Sequence, residues 1–129
     1  MNQLHNPDTV AAPISAYSHA VEVSLNARWL TLSGQIGIDV DGVLGKDATE
    51  QSELIWHNIQ EILGSAGMEI IDIVKMTAYL LNPADVGAYG AVRTRFLGEH
   101  RPASTLIYVS ALAMPEVSVE VEVVAARAD

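Results

Sequence analysis

The segment 117–126 alternates apolar and polar residues, and this pattern restricts the possible folds more than any other feature of the chain. As a β-strand it would carry its valines on one face: Val117, Val119, Val121 and Val123. The other face would carry the polar residues: Ser118, Glu120 and Glu122. Such a strand needs a sheet whose valine face packs on a core. The glutamate face is then either solvated or the wall of a binding site.

Two segments have the spacing and the end signals of α-helices. The first begins at Asp47, an N-cap residue with Glu50 three positions later, and ends at Gly67. Its apolar residues recur at helical spacing: Ile55, Ile59, Ile62, Leu63 and Ala66. The second begins at Asn82–Pro83 and ends at Gly98. Its inner stripe would consist of Val86, Tyr89 and Phe96.

The remaining regular segments have the composition of strands. The five predicted strands are His19–Leu25, Trp29–Ser33, Val74–Leu81, Ser104–Leu112 and Val117–Ala126. We expect the first two to pair as a hairpin and the last two to pair as a closing hairpin. The order β-β-α-β-α-β-β predicts an α+β domain with both helices on one face of one mixed sheet. Residues 1–129 would form this single domain, with 1–12 as a loose N-terminal segment.

Two helices cannot cover both faces of the predicted sheet, so one face stays open. This open face would carry polar residues among apolar neighbours: Glu22, Ser24, Glu120 and Glu122. A mixed face of this kind is typical of a surface that other subunits cover.

Composition argues against several classes of function. The formal net charge is −9 with only seven Lys and Arg, which argues against nucleic-acid binding. Cysteine is absent, so thiol catalysis and thiolate metal sites are excluded, and the histidines have no metal-ligand spacing. No apolar run could span a bilayer and the first residues do not resemble a secretory signal, so we expect a cytoplasmic protein without membrane contact. No nucleotide-binding glycine motif or serine-hydrolase elbow occurs either.

Four short segments, in order along nearly the whole chain, match one family. They are Ala12–Ala20 (APISAYSHA), Leu32–Ile36 (LSGQI), Phe96–His100 (FLGEH), and Arg101–Ala103 together with Val119–Glu122 (RPA and VEVE). The first resembles the A-P-I-G-P-Y-S-Q-A segment of the RidA/YjgF family, also called the L-PSP or translation-inhibitor family. The second resembles its V-S-G-Q-I strand end, and the others resemble the end of its second helix and its closing hairpin.

The resemblance implies a chorismate-mutase-like fold and a homotrimer with a barrel-like core of three sheets. Small-molecule substrates would bind in clefts between subunits. Members of the family hydrolyse reactive enamines and imines to a keto acid and ammonia, without a metal or an organic cofactor. An arginine holds the substrate carboxylate, and a glutamate with a bound water is the proposed hydrolytic group.

This chain departs from the family pattern at the arginine. Active members read P-A-R-S or P-A-R-T, whereas this chain has Ser104 after Pro102-Ala103. A serine hydroxyl cannot supply the bidentate charge that binds a planar carboxylate. Arg101, three residues earlier, is a candidate replacement. A second departure is Tyr89, which falls where many members have asparagine.

The resemblance implies Glu120 and Tyr17 as catalytic residues. It implies a substrate-binding set of Ser104, Tyr89, Gly34, Leu106 and Arg101. His19 is a minor candidate, because alternation places it on the same side of the chain as Tyr17. Each residue also has an ordinary structural interpretation: a solvated glutamate, a packed tyrosine or a serine that satisfies loop backbone.

Three functions remain open from the sequence. The first is an enzyme that deaminates an enamine or imine other than the usual 2-imino acids. The alternative is a non-catalytic trimer that binds a metabolite, which the missing arginine favours. An endoribonuclease or translation inhibitor is the least favoured, because the chain is acidic and lacks paired histidines.

Overall fold

The computed structural model describes residues 1–129. Its strands are β1 (Gln3–His5), β2 (Ala20–Glu22), β3 (Arg28–Thr31), β4 (Gln35–Ile36), β5 (Ile73–Leu80), β6 (Ala103–Tyr108) and β7 (Val119–Arg127). Its helices are α1 (Ala48–Ser65) and α2 (Val86–Leu97). Short 3-10 turns at Ile70–Asp72 and Pro83–Asp85 lead into β5 and α2. Neither helix is long and apolar enough to cross a membrane.

The larger sheet is mixed and carries both helices on one face, which confirms the predicted fold class. Its strand order is β3-β7-β5-β6, and β4 also pairs with β7. The β5–β6 pair is parallel, and the pairs that β7 makes with β3, β4 and β5 are antiparallel. A parallel pair needs a crossover connection, which the helix α2 supplies between β5 and β6.

The helix ends lie close to where capping signals predict them. The Asp47 carboxylate accepts a hydrogen bond from the Glu50 amide at 2.8 Å and begins α1. The Asn82 side chain accepts from the Ala84 amide at 3.0 Å, so it caps the 3-10 turn that precedes α2. Gly67 and Gly98 follow the two helices with left-handed φ angles of 70° and 56°.

The core lies between the helices and the valine face of β7. The fully buried residues of β7 are Val119, Val121, Val123, Ala125 and Ala126. Residues Ile55, Ile59 and Leu63 of α1 pack against this face, and Met76, Ala78 and Leu80 of the neighbouring strand β5 extend it. The alternation of the closing strand and the apolar stripe of the first helix are therefore confirmed.

The predicted N-terminal hairpin is wrong. Strand β2 pairs with β1 in a separate two-stranded sheet, whereas β3 pairs with the second half of β7. Strand β7 has nine residues and pairs with β4 and β3 in succession along one edge. Alternation predicts which residues share a face, but the neighbouring strand is chosen by backbone pairing and burial elsewhere in the chain. Strand β7 is long and covered by the helices, so it offers β3 more backbone pairing and more burial than the three-residue β2 does.

The segment 1–12 is also more ordered than expected, because it contains β1. Leu4 pairs with Val21 in the small sheet, and Asn2 donates to the Ala126 carbonyl at 3.0 Å. Glu22 belongs to this small sheet and contacts His5 Nε2 at 2.8 Å. The backbone amide of Ser24 donates to Asn2 at 3.2 Å. Glu22 and Ser24 therefore do not share the open face with Glu120, contrary to expectation.

The closing strands do not form a hairpin either. Strand β5 lies between β6 and β7 and pairs with both. Every residue of β5 on the helix side is buried, so the central position gives this strand the most complete cover. Strand β6 consequently lies at the edge of the sheet, with one side of its backbone unpaired over most of its length.

Candidate functional site

The face of the larger sheet away from the helices is organised by the pairing of β5 with β7. Tyr79 lies directly opposite Glu120, and Thr77 lies opposite Glu122. Directly opposed residues of neighbouring strands point to the same face. All four side chains are half-buried, and together they form the polar part of the open face.

Glu120 lies against Gly34. Strand β4 pairs with β7 at this point, with Ile36 opposite Glu120. A side chain at position 34 would overlap the Glu120 carboxylate, so the carboxylate can keep this position only if residue 34 is glycine. The Glu120 carboxylate makes no hydrogen bond or ion pair with the rest of the chain and is free to accept a proton from a ligand. The structure thus brings together two of the residues implied by the resemblance.

Glu122 is held by a residue that sequence reasoning missed. The Tyr79 hydroxyl donates to Glu122 Oε1 at 2.6 Å, and this hydrogen bond raises the pKa of Tyr79 above its ordinary value. Lys75, on the same face, donates to the Thr105 hydroxyl of β6 at 2.8 Å. The sequence does contain a pattern that places Tyr79 on the open face. Lys75, Thr77 and Tyr79 alternate with buried residues in the predicted strand Val74–Leu81.

Tyr17 lies beside the start of the edge strand β6. Ser18 bridges to Ala103, and its amide donates to the Pro102 carbonyl at 3.1 Å. The Tyr17 ring packs edge-on against the ring of His19, with centroids 6.0 Å apart. His19 Nε2 donates to the Ala11 carbonyl at 2.6 Å, so this nitrogen is occupied by the backbone.

Ser104 and Leu106 lie on the opposite face from Glu120. They pair with Met76 and Ala78 of β5, whose side chains are buried beneath the helices. Leu106 packs against the core, and the half-buried Ser104 makes no side-chain hydrogen bond within the chain. A single chain therefore does not bring Ser104 and Glu120 together, because β5 and the thickness of the sheet separate them.

Two residues of the implied substrate-binding set have other roles in this structure. Tyr89 is fully buried in the core next to Trp56, and burial raises its pKa. Its ring centroid lies 5.9 Å from the guanidinium of Arg93, one turn further along α2. The residue is therefore part of the core between the helices and the sheet and does not line the open face. Arg101 donates to the Gly98 and His100 carbonyls at 2.7 and 3.0 Å. In the single chain it therefore completes the C-terminal end of α2.

Two of the cavities on the surface of the single chain differ in size, and the size does not identify the site. The larger, of about 460 Å³, lies between the small N-terminal sheet and the ends of β5 and β7, and none of the implied site residues lines it. The smaller, of about 210 Å³, lies on the open face beside Lys75, Thr77 and Glu122. The open face is the better candidate for the site, because the unpaired carboxylate of Glu120 lies there. No group of three or more His, Asp or Glu side chains lies close enough together to hold a metal ion.

Comparison with known proteins supports the resemblance seen in the four sequence segments. The family model of Endoribonuclease L-PSP matches residues 8–127. The chain belongs to the RidA/YjgF family. A RutC family protein of Pyrococcus abyssi is 34% identical over 115 residues, which are 88% of this chain and 87% of that protein. The 2-iminobutanoate/2-iminopropanoate deaminase of Salmonella typhimurium is 30% identical over 123 residues, 92% of this chain and 94% of that protein.

Solved structures of RidA-family proteins share the fold of this chain. The crystal structure of a Rid family protein of unknown function from Yersinia pestis superposes with a TM-score of 0.85 at 33% identity. The match covers 96% of this chain and 97% of that one. Two helices on one face of a mixed sheet form the chorismate-mutase-like fold of the family, and the relatives include deaminases of reactive imines.

Proposed function

We propose that the protein is a cofactor-free hydrolase that deaminates an enamine or imine other than the usual 2-imino acids. The observation that carries this proposal is the half-buried, unpaired carboxylate of Glu120 against Gly34. A carboxylate that makes no bond to the protein can accept a proton from a bound water. The deaminase activity named for the Salmonella typhimurium relative supports this reaction class.

The reaction needs one base and moves both protons of one water to the nitrogen. Glu120 accepts a proton from water while the water oxygen attacks the imine carbon, and this proton then passes to the nitrogen to give a carbinolamine. Glu120 next takes the hydroxyl proton and passes it to the nitrogen, the carbon–nitrogen bond breaks, and ammonia leaves as the carbonyl product forms. The carboxylate returns to its ionised state, so no cofactor is consumed. An enamine joins this route after it gains a proton at carbon and loses one from nitrogen.

We place the complete site between subunits of a homotrimer, as the resemblance implies. Glu120 of one subunit would face the edge strand β6 and Tyr17 of its neighbour, which a single chain keeps apart. Exposed apolar side chains on the open face support such an assembly: Trp29 is 60% exposed and Ile107 41%. The unpaired edge of β6 also needs cover, since exposed strand edges are prone to pair with other chains.

The substrate class follows from position 104. Serine cannot form the charged bidentate contact with a carboxylate, and Arg101 is occupied by the end of α2. The site is therefore suited to an imine that is uncharged next to the reacting carbon, or bulkier there. The same observation favours the alternative function, a trimer that binds such a metabolite without turnover. Ribonuclease activity is disfavoured by the net charge of −9.

Ammonia release from imines made in situ by amine and amino-acid oxidases tests this function. We expect hydrolysis of imines that lack a neighbouring carboxylate. We expect at least about 10²-fold lower efficiency on alanine- and leucine-derived 2-imino acids, since a charge-assisted contact is missing. A Ser104→Arg variant should gain activity on these 2-imino acids. Binding of the neutral imine or its carbonyl product without turnover, together with an inert Ser104→Arg variant, would favour the metabolite-binding alternative.

A further inference from the structure

The Tyr79 side chain connects the two glutamates of the open face. Tyr79 lies directly opposite Glu120 in the β5–β7 pairing, yet its hydroxyl donates to Glu122 at 2.6 Å. A tyrosine is long enough to reach the diagonal neighbour on an adjacent strand. The residue opposite the candidate base therefore holds the other carboxylate and leaves the base itself free.

This hydrogen bond makes two similar carboxylates unequal. Both glutamates are half-buried on one strand, two residues apart, so their negative charges repel each other. Glu122 has one oxygen occupied by the Tyr79 hydroxyl. Glu120 has no such donor and lies against Gly34. The Tyr79 hydroxyl thus compensates part of the charge of Glu122 and fixes the orientation of the Glu122 carboxylate.

Few other charges act on this pair. The titratable groups on this face of the sheet are Glu120, Glu122, Lys75 and Tyr79. Lys75 turns to Thr105 of β6 at 2.8 Å and forms no ion pair with either glutamate. Strands β3, β4 and β6 add no charged side chain to this face, since Arg28 turns to Asp129 and the end of α1.

We propose that Tyr79 is a positioning residue that holds the Glu122 carboxylate by a hydrogen bond and so leaves Glu120 as the only base that meets the attacking water. The inference rests on the deaminase function proposed above. It assigns Tyr79 no contact with substrate. The raised pKa of Tyr79 agrees with it, because the hydroxyl then stays protonated throughout the neutral range.

A Tyr79→Phe variant tests the inference by kinetics. We expect kcat to fall about tenfold with KM nearly unchanged, the scale of a lost hydrogen bond to a charged group. The acid limb of the kcat/KM profile should move to higher pH, because the uncompensated charge of Glu122 favours the protonated form of Glu120. Glu122→Gln keeps an acceptor oxygen but removes the charge, so it should move the acid limb to lower pH.

Ser65→Ala is the control, because it also removes a hydroxyl that makes a hydrogen bond, to the Ile62 carbonyl at 2.6 Å, but lies at the end of α1 away from the open face. It should leave kcat and the acid limb as in the wild type. A Tyr79→Phe variant that behaves like this control, or acid limbs that move in the same direction in Tyr79→Phe and Glu122→Gln, would overturn the inference.

NMR titration of the Tyr79 ring gives a readout that does not depend on activity. In Glu122→Gln, the pKa of Tyr79 should fall towards its ordinary value, because the charged acceptor that raises it is lost. An unmoved midpoint contradicts the inference whatever the kinetics show. A moved midpoint in a protein that hydrolyses no imine counts against the proposed function and leaves the Tyr79–Glu122 coupling in place.

Discussion

Glu120 and Glu122 have the same side chain on the same face of one strand, but different surroundings. Glu122 is bound by the Tyr79 hydroxyl, whereas Glu120 is unpaired and adjacent to a glycine. From the sequence alone the two could be separated only by the family resemblance. The difference between them depends on β4 and β5, which are close to β7 in space and distant in sequence.

Replacing each glutamate by glutamine should therefore have unequal effects. Glu120→Gln keeps the shape of the side chain and removes the proton acceptor. We expect it to lower kcat by about 10²–10⁴-fold, the usual scale for a positioned acid-base group. Glu122→Gln should cost far less at neutral pH. Initial rates of ammonia release on the best neutral imine make the comparison, and equal losses in the two variants would mean that the face is merely solvated.

At the scale of elements, helices and strand faces could be predicted from nearby residues, whereas the pairing of strands could not. The two helices could be predicted because capping residues, left-handed glycines and the apolar stripe all act within a few residues. The faces of β7 could be predicted for the same reason. The neighbours of β3 and β6 could not, since they depend on where the nine-residue β7 and the buried β5 lie in the sheet. The role of Tyr79 could not be predicted, because its hydrogen bond joins β5 to Glu122 of β7, and these strands are distant in sequence.

The cap of α1 provides a test at this scale. Asp47→Ala removes a side chain that accepts from the Glu50 amide at 2.8 Å. We expect the free energy of unfolding to fall by about 1 kcal/mol, the usual cost of losing such a cap. Asp85, at the corresponding position of α2, makes no capping hydrogen bond and is the matched control. Denaturant unfolding of both variants should show a clearly smaller loss for Asp85→Ala, and equal losses would contradict the capping account.

At the scale of the whole molecule, a single chain keeps Ser104 and Glu120 on opposite faces of the sheet and leaves one sheet face uncovered by helices. Trp29 and Ile107 are exposed on that face. A homotrimer would cover it, and light scattering should then report about three times the chain mass of 13.8 kDa. Trp29→Glu, which adds a charge to the open face, should shift the mass towards that of one chain. A wild-type protein that is monomeric at micromolar concentration would contradict the assembly.

The most direct test of the shared site is complementation between two impaired variants. Glu120→Gln lacks the base, and Tyr17→Phe lacks the hydroxyl on the other side of the proposed cleft. If each site uses Glu120 of one subunit and Tyr17 of its neighbour, refolding the two variants together in equal amounts creates intact sites. Ammonia release should then reach about a quarter of the wild-type rate, the share of sites that receive both native residues in random trimers. A rate no higher than the average of the two separate variants would contradict a site built between subunits.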